Sequence, residues 1–115
     1  MQNVTVINYT WNTNVDDLIA LDFVVYKKGL FGRIKPDKQF DGWGLVFEKP
    51  SNGEIDIDNL VIQDGNIHTV PLNPQLAYAI LLAGADTFKK SGEIEKSSLL
   101  QKASVKFFQK YILKN

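Results

Sequence analysis

The chain has 115 residues, 44% of them apolar and 23% charged. Those figures fit one ordinary globular domain and exclude wholesale disorder or a coiled coil. Thirteen Lys plus Arg balance thirteen Asp plus Glu, which argues against a protein built mainly to hold nucleic acid or an anionic membrane. With no cysteine, a disulfide framework, a thiolate nucleophile and every Cys-containing zinc site are excluded.

The opening Met-Gln-Asn-Val-Thr has no basic region leading into an apolar run, so no secretory signal is expected. Leu76 to Ala85 is the longest nearly uncharged apolar stretch, well short of the roughly 20 residues that cross a bilayer. The expected location is cytoplasmic, or within an assembly made there.

Val4 to Trp11 is rich in β-branched and aromatic residues and predicts a strand. Asn12-Thr13-Asn14 predicts a turn. Leu18 to Tyr26, with its Phe23-Val24-Val25-Tyr26 run, predicts a second strand, although Asp16 and Asp17 could open a helical turn there. Trp43, Leu45 and Phe47 alternate with Gly44, Val46 and Glu48, a period of two. Pro50-Ser51-Asn52-Gly53 predicts a turn. Ile55 and Ile57 alternate with Glu54, Asp56 and Asp58, predicting a strand with carboxylates on one face. Asp64-Gly65-Asn66 lies between the Leu60-Val61-Ile62 run and Ile67 to Leu72, a strong hairpin signal. The first 72 residues therefore predict an antiparallel meander of about five strands.

From Asn73 the period changes. Asn73 suits an N-cap and Pro74 the first helical position. Leu76, Ala77, Ile80, Leu81, Ala85 and Phe88 follow, Lys89 and Lys90 complement the C-terminal dipole, and Gly92 can end the helix. This helix is apolar nearly all round, as helices buried on several sides are. A second helix is predicted from Ser98, whose spacing to Gln101 matches a capping box. Leu100, Ala103, Phe107 and Tyr111 form its apolar stripe, widened by Leu99, Phe108 and Ile112, with Lys102, Lys106 and Lys110 opposite. Strands followed by helices predict a single α+β domain over 1–115, its two C-terminal helices packed on one face of the sheet. The first helix would be sandwiched between sheet and second helix, or else expose an assembly face.

Few residues suggest catalysis. His68 is the only histidine, within a predicted strand, and no Gly-x-Ser-x-Gly elbow is present. Ser51, Ser91, Ser97, Ser98 and Ser104 fall in turns or helices. One His and no Cys leave carboxylates as metal ligands, which suit hard cations. Glu54, Asp56 and Asp58 would stand about 7 Å apart on a strand face, but they lack the spacing of a calcium loop. The plainer reading is a solvated face that discourages edge pairing. Gly29 and Gly32 match neither a phosphate loop nor a dinucleotide fingerprint. No metal or cofactor is expected.

The segment from Lys27 to Lys38 is the most unusual. It carries Lys27, Lys28, Arg33, Lys35 and Lys38 against Asp37 alone, with Leu30 and Phe31 among the charges. A loop should be polar. Either Leu30 and Phe31 fold back to cap the core, or they form a hydrophobic anchor flanked by cations that docks on an acidic partner or touches phosphates. Charge is also uneven along the chain: residues 1 to 72 carry ten acids and six bases, residues 73 to 115 three and seven. Such a domain could be a dipole that associates head to tail.

The residues favour a non-enzymatic domain working by protein–protein contact, with Lys27, Lys28, Leu30, Phe31, Arg33 and Lys35 as the partner-binding set. Its partner would be another protein or copies of itself: it would act as a small inhibitor or immunity-type protein, or as a structural subunit of an assembly such as a virion. The alternatives are a small carboxylate-dependent, metal-assisted enzyme using Glu54, Asp56, Asp58 or His68, and a weak nucleic-acid-binding module. The latter would use the basic 27–38 loop, with Trp11 and Trp43 better explained as core than as stacking groups.

Overall fold

The computed structural model describes residues 3–12 and 17–113, with only the backbone of Trp11 and Asn12. Thr13, Asn14 and Asp16, on which a turn or a helical start was expected, lie outside the described residues. Among the described residues, an antiparallel sheet of six strands is followed by two helices: the expected α+β order. The strands are β1 (Asn3–Asn12), β2 (Leu18–Lys28), β3 (Ile34–Pro36), β4 (Gly44–Glu48), β5 (Val61–Gln63) and β6 (Thr69–Val70). Sheet order is β1-β2-β4-β5-β6, with β3 also paired to β2.

The period of two in β2 sets the faces. Ile19, Leu21, Phe23 and Val25 are buried, while Ala20, Asp22, Val24 and Tyr26 between them are partly exposed. β1 pairs along β2 with a register shift between Val6 and Asn8. A bulge of this kind adds one residue and changes which side chains face inward. Val4 and Val6 lie opposite Val25 and Phe23, and Tyr9 opposite Leu21. Ile7 is the extra residue and stands 55% exposed. Without the bulge, Tyr9 would leave the core, where it meets Phe88 edge to face at 5.6 Å between ring centres.

Helix α1 (Pro74–Lys90) is capped as its sequence predicts, the Asn73 side chain accepting a bond from the Leu76 N–H at 3.2 Å. It ends at Gly92, whose φ is +82°. There the Glu93 N–H reaches the Phe88 carbonyl at 2.8 Å and the Gly92 N–H that of Lys89 at 3.2 Å, the paired bonds that close many helices. Helix α2 (Ile94–Phe107) begins four residues before Ser98. The expected capping box is not used, because the tight reversal at Ser91–Glu93 restarts the helix at once and the Ser97 N–H already reaches the Glu93 carbonyl at 3.1 Å. A π-helical turn, Phe108–Ile112, continues it.

α1 lies between the sheet and α2, which accounts for its apolar circumference. Leu76, Ala77, Ala79, Ile80, Leu81, Ala85 and Phe88 are all buried. Small residues permit the close approach. A Cβ on Gly84 would stand 2.8 Å from Leu100 Cδ1, 3.6 Å from Val6 Cγ2 and 3.8 Å from Leu21 Cδ1, so α2, β1 and β2 all converge on one backbone position. Beside it the buried Ser97 hydroxyl donates to the Ala85 carbonyl at 2.7 Å, so a polar group between helices stays satisfied. No helix among the described residues is long and apolar enough to cross a membrane.

Gly84→Val should therefore lower stability by about 2–3 kcal/mol through overpacking. Gly84→Ala should change it less, because about 1 kcal/mol of helix propensity opposes the clash with Leu100. Urea unfolding followed by circular dichroism measures both, and an unchanged midpoint for Gly84→Val would contradict the three-layer contact.

Candidate functional site

β2 is longer than the sheet needs. Residues 18–22 pair with β4, and residues 26–28 pair with β3 on the same side of the strand. Lys27, Lys28 and Lys35 thus belong to a paired hairpin arm and not to an irregular loop, which corrects the expectation for 27–38. The Asp37 N–H reaches the Val25 carbonyl at 2.7 Å and ties down the arm's base.

At the tip, the register of β2 and β3 leaves a three-residue loop, Leu30–Gly32, in which Phe31 (φ 62°, ψ 24°) and Gly32 (φ 74°) both adopt positive φ. Asn, Asp or Gly usually fills the first of these positions, and a bulky L-residue there costs about 1–2 kcal/mol. The Gly29 N–H bonds the Arg33 carbonyl at 2.6 Å and closes the turn. Leu30 is 82% exposed and Phe31 98%, with Ile34 at 59%. The tip does not fold back onto the core. Lys27, Lys28, Arg33 and Lys35 are exposed around it. Lys27 stands directly across from Lys35, a like-charge pair that is unfavourable on one face of a hairpin. Lys27 also approaches Asp37 at 3.8 Å.

Beside the arm's base, the sheet face turned from the helices carries a groove of about 530 Å³, lined among others by Ile7, Asp22, Val24, Phe40, Asp41 and Trp43. A 3-10 turn over Lys38–Phe40 forms one wall, its start capped by Asp37, which accepts from the Gln39 N–H at 3.1 Å. Phe40 and Trp43 meet edge to face at 4.7 Å between centres. Trp43 is thus a groove wall as well as a partner of the core. Among the described residues, neither the Asp22 nor the Asp41 carboxylate makes a hydrogen bond or ion pair. None of Phe40, Asp41 or Asp22 stood out in the sequence, though acids alternating with aromatics from Asp37 to Trp43 were a readable signal.

The carboxylates proposed for the enzyme alternative are arranged differently from the expected strand. After the Ser51–Glu54 bridge the chain enters a 3-10 turn at Ile57–Asn59. Asp56 accepts from the Asp58 N–H at 3.0 Å and from Asn59 Nδ2 at 2.6 Å, a local bonding pattern that competes with strand pairing. Ile55 and Leu60 anchor the segment in the core. Glu54 pairs with Lys106 at 2.6 Å, and Asp58 with Lys110 at 2.8 Å and with the Tyr111 hydroxyl. The lysine face of the last helix is therefore partly neutralised from within, which reduces the expected dipole. The Lys106 hydrogen bond holds the Glu54 carboxyl below its usual range, and the Lys110 and Tyr111 hydrogen bonds do the same for Asp58.

His68 lies outside β6, in the loop joining β5 and β6. Its N–H and that of Asn66 both donate to Asp64 Oδ1 at 2.9 Å, and its exposed ring stands 3.8 Å from Asp64 Oδ2. The Asp-Gly signal did mark a hairpin, but with positive φ at Ile67 and not at Gly65. Among the described residues, no three His, Asp or Glu side chains gather as a metal ion would require. No protein-family model, curated protein or solved structure matches the chain.

Phe31→Asn should stabilise the domain by about 1 kcal/mol, since it relieves positive φ and removes no core contact. Thermal unfolding reads this, and a loss of stability would mean that Phe31 packs on the core. The Glu54 and Asp58 pairs set an acid limit. A carboxyl held low in the folded state adds stability that is present above its unfolded value of about 4. That stability is lost as pH falls through the lower folded value. Asp58→Asn should lower the melting temperature near neutral pH and flatten its fall in acid, with a smaller difference in high salt. An identical acid limb in parent and variant would show that the pair contributes nothing.

Proposed function

We propose that the chain is a non-enzymatic protein-binding domain that docks through the tip of its β2–β3 arm. The observation that carries this reading is Phe31, 98% exposed and in a strained backbone conformation. Stability alone would favour Asn there, so an aromatic side chain displayed at the cost of strain points to use. Aromatic and Arg side chains supply most interface energy when a partner pocket desolvates them. Leu30 and Phe31 are the anchor. Lys28, Arg33 and Lys35 surround it and steer it toward an apolar pocket with an acidic rim, while Lys27 braces the arm against Asp37. An inhibitor or immunity-type protein and a structural subunit would both use this contact. Nucleic acid is a poorer match, because the most exposed part of the arm is apolar and carboxylates line the groove beside its base.

A photo-reactive benzoyl-phenylalanine at position 31, introduced in the native cell, should form one defined protein adduct. Arg33→Glu with Lys35→Glu should reduce that adduct several-fold. No adduct, or an adduct with nucleic acid, would overturn the reading.

A further inference from the structure

The geometry points to the partner: we propose that the tip of one copy seats in the groove beside the arm of a second copy, so that the chain associates tip to groove. This rests on the tip being a docking element and names what it docks on. The two surfaces match in chemistry. The tip offers an aromatic ring, a leucine and a collar of cations, while the groove offers an apolar floor at Val24, the edge-to-face pair Phe40 and Trp43, and the carboxylates of Asp22 and Asp41, which outnumber its one lysine, Lys38. Phe31 can extend the aromatic pair, and Arg33 can reach a carboxylate or the Trp43 face. Asp22 is partly buried on the sheet and has no partner among the described residues, so an incoming cation would complete it. A cation drawn to that carboxylate would also relieve the Lys27–Lys35 opposition.

A tip cannot enter its own groove. The Tyr26–Pro36, Lys27–Lys35 and Lys28–Ile34 pairs hold the arm extended, which puts the tip roughly 10 Å beyond the arm's base. The groove volume of about 530 Å³ lies in the range of cavities that enclose a small ligand, so a Leu–Phe pair can enter. Two side chains and a short arm bury much less than the ~800 Å² per partner of a standard interface. Association should therefore be weak, with Kd in about the micromolar to sub-millimolar range. The contact joins two different patches, so it leaves a free tip and a free groove at the ends and can extend into rings or chains.

Sedimentation velocity of the full chain from about 1 µM to about 1 mM should show mass rising with concentration, with the rise suppressed by salt. A tip variant, Leu30→Asp with Phe31→Asp, should stay monomeric. So should a groove variant, Asp22→Asn with Asp41→Lys. If the double groove variant fails to fold, Asp41→Lys alone changes only an exposed residue and should weaken association about tenfold. Mixing tip and groove variants should give a dimer and nothing larger, because the mixture holds one working tip and one working groove. A parent that is monomeric throughout, a tip variant that associates like the parent, or a mixture that stays monomeric would each overturn the inference. A monomeric parent whose position-31 probe still captures a different protein would remove self-association and leave the docking function standing.

Discussion

Gly84 is where three layers meet. Val6 of β1, Leu21 of β2 and Leu100 of α2 all come within reach of a single absent methyl, and the rest of the architecture follows from how tightly they close there. Buried between sheet and helix, α1 needs apolar residues on every side and small residues where backbones approach. Leu76, Ala77, Ala79, Ile80 and Leu81 meet the first need, Gly84 and Ala85 the second. Core packing at this density tolerates little change in volume. The Ser97–Ala85 hydrogen bond then lets α2 lie on α1 without leaving a polar group unpaired.

Because both helices occupy one face, the other face of the sheet is left to short connections. β2 serves as the shared strand: its buried residues hold the core while its far end, having run past β4, pairs with β3 and carries the arm outward. The same overhang opens the groove, because the chain must travel from β3 back to β4 through Lys38 to Trp43. Arm and groove are thus two results of one overlong strand. The bulge at Ile7 acts on the same strand from its other edge, restoring the inward register so that Tyr9 returns to the core.

Local patterns were legible. The β-branched and aromatic run of β2, the Asn73-Pro74 start of α1, the Gly92 stop and the Asp64-Gly65 hairpin each express a local preference that the fold keeps. The expected period of two in β4, by contrast, does not appear as alternating burial, since Val46 is buried along with Leu45 and Phe47. The failures occurred where a local pattern met a competing contact. Glu54 to Asp58 alternates like a strand, yet Asp56 bonds its own neighbours and Glu54 and Asp58 are drawn to lysines some fifty residues later. Ser98 looks like a cap, yet the reversal after Gly92 starts α2 earlier. For the candidate site, the composition of 27–38 marked the tip residues, while the groove remained hidden because Asp22 and Trp43 are distant in sequence and meet only through strand pairing.

By itself the sequence determined the class of the fold, the order of its elements and the apolar, cationic character of the arm, because these depend on the periodicity and types of adjacent residues. Only the tertiary structure decided whether Leu30 and Phe31 turn inward or outward, which acids meet which lysines, and that a groove with unpaired carboxylates lies beside the arm. Those outcomes depend on where strands register and how closely layers stack. Contacts between residues far apart along the chain settle both, and no local pattern encodes them.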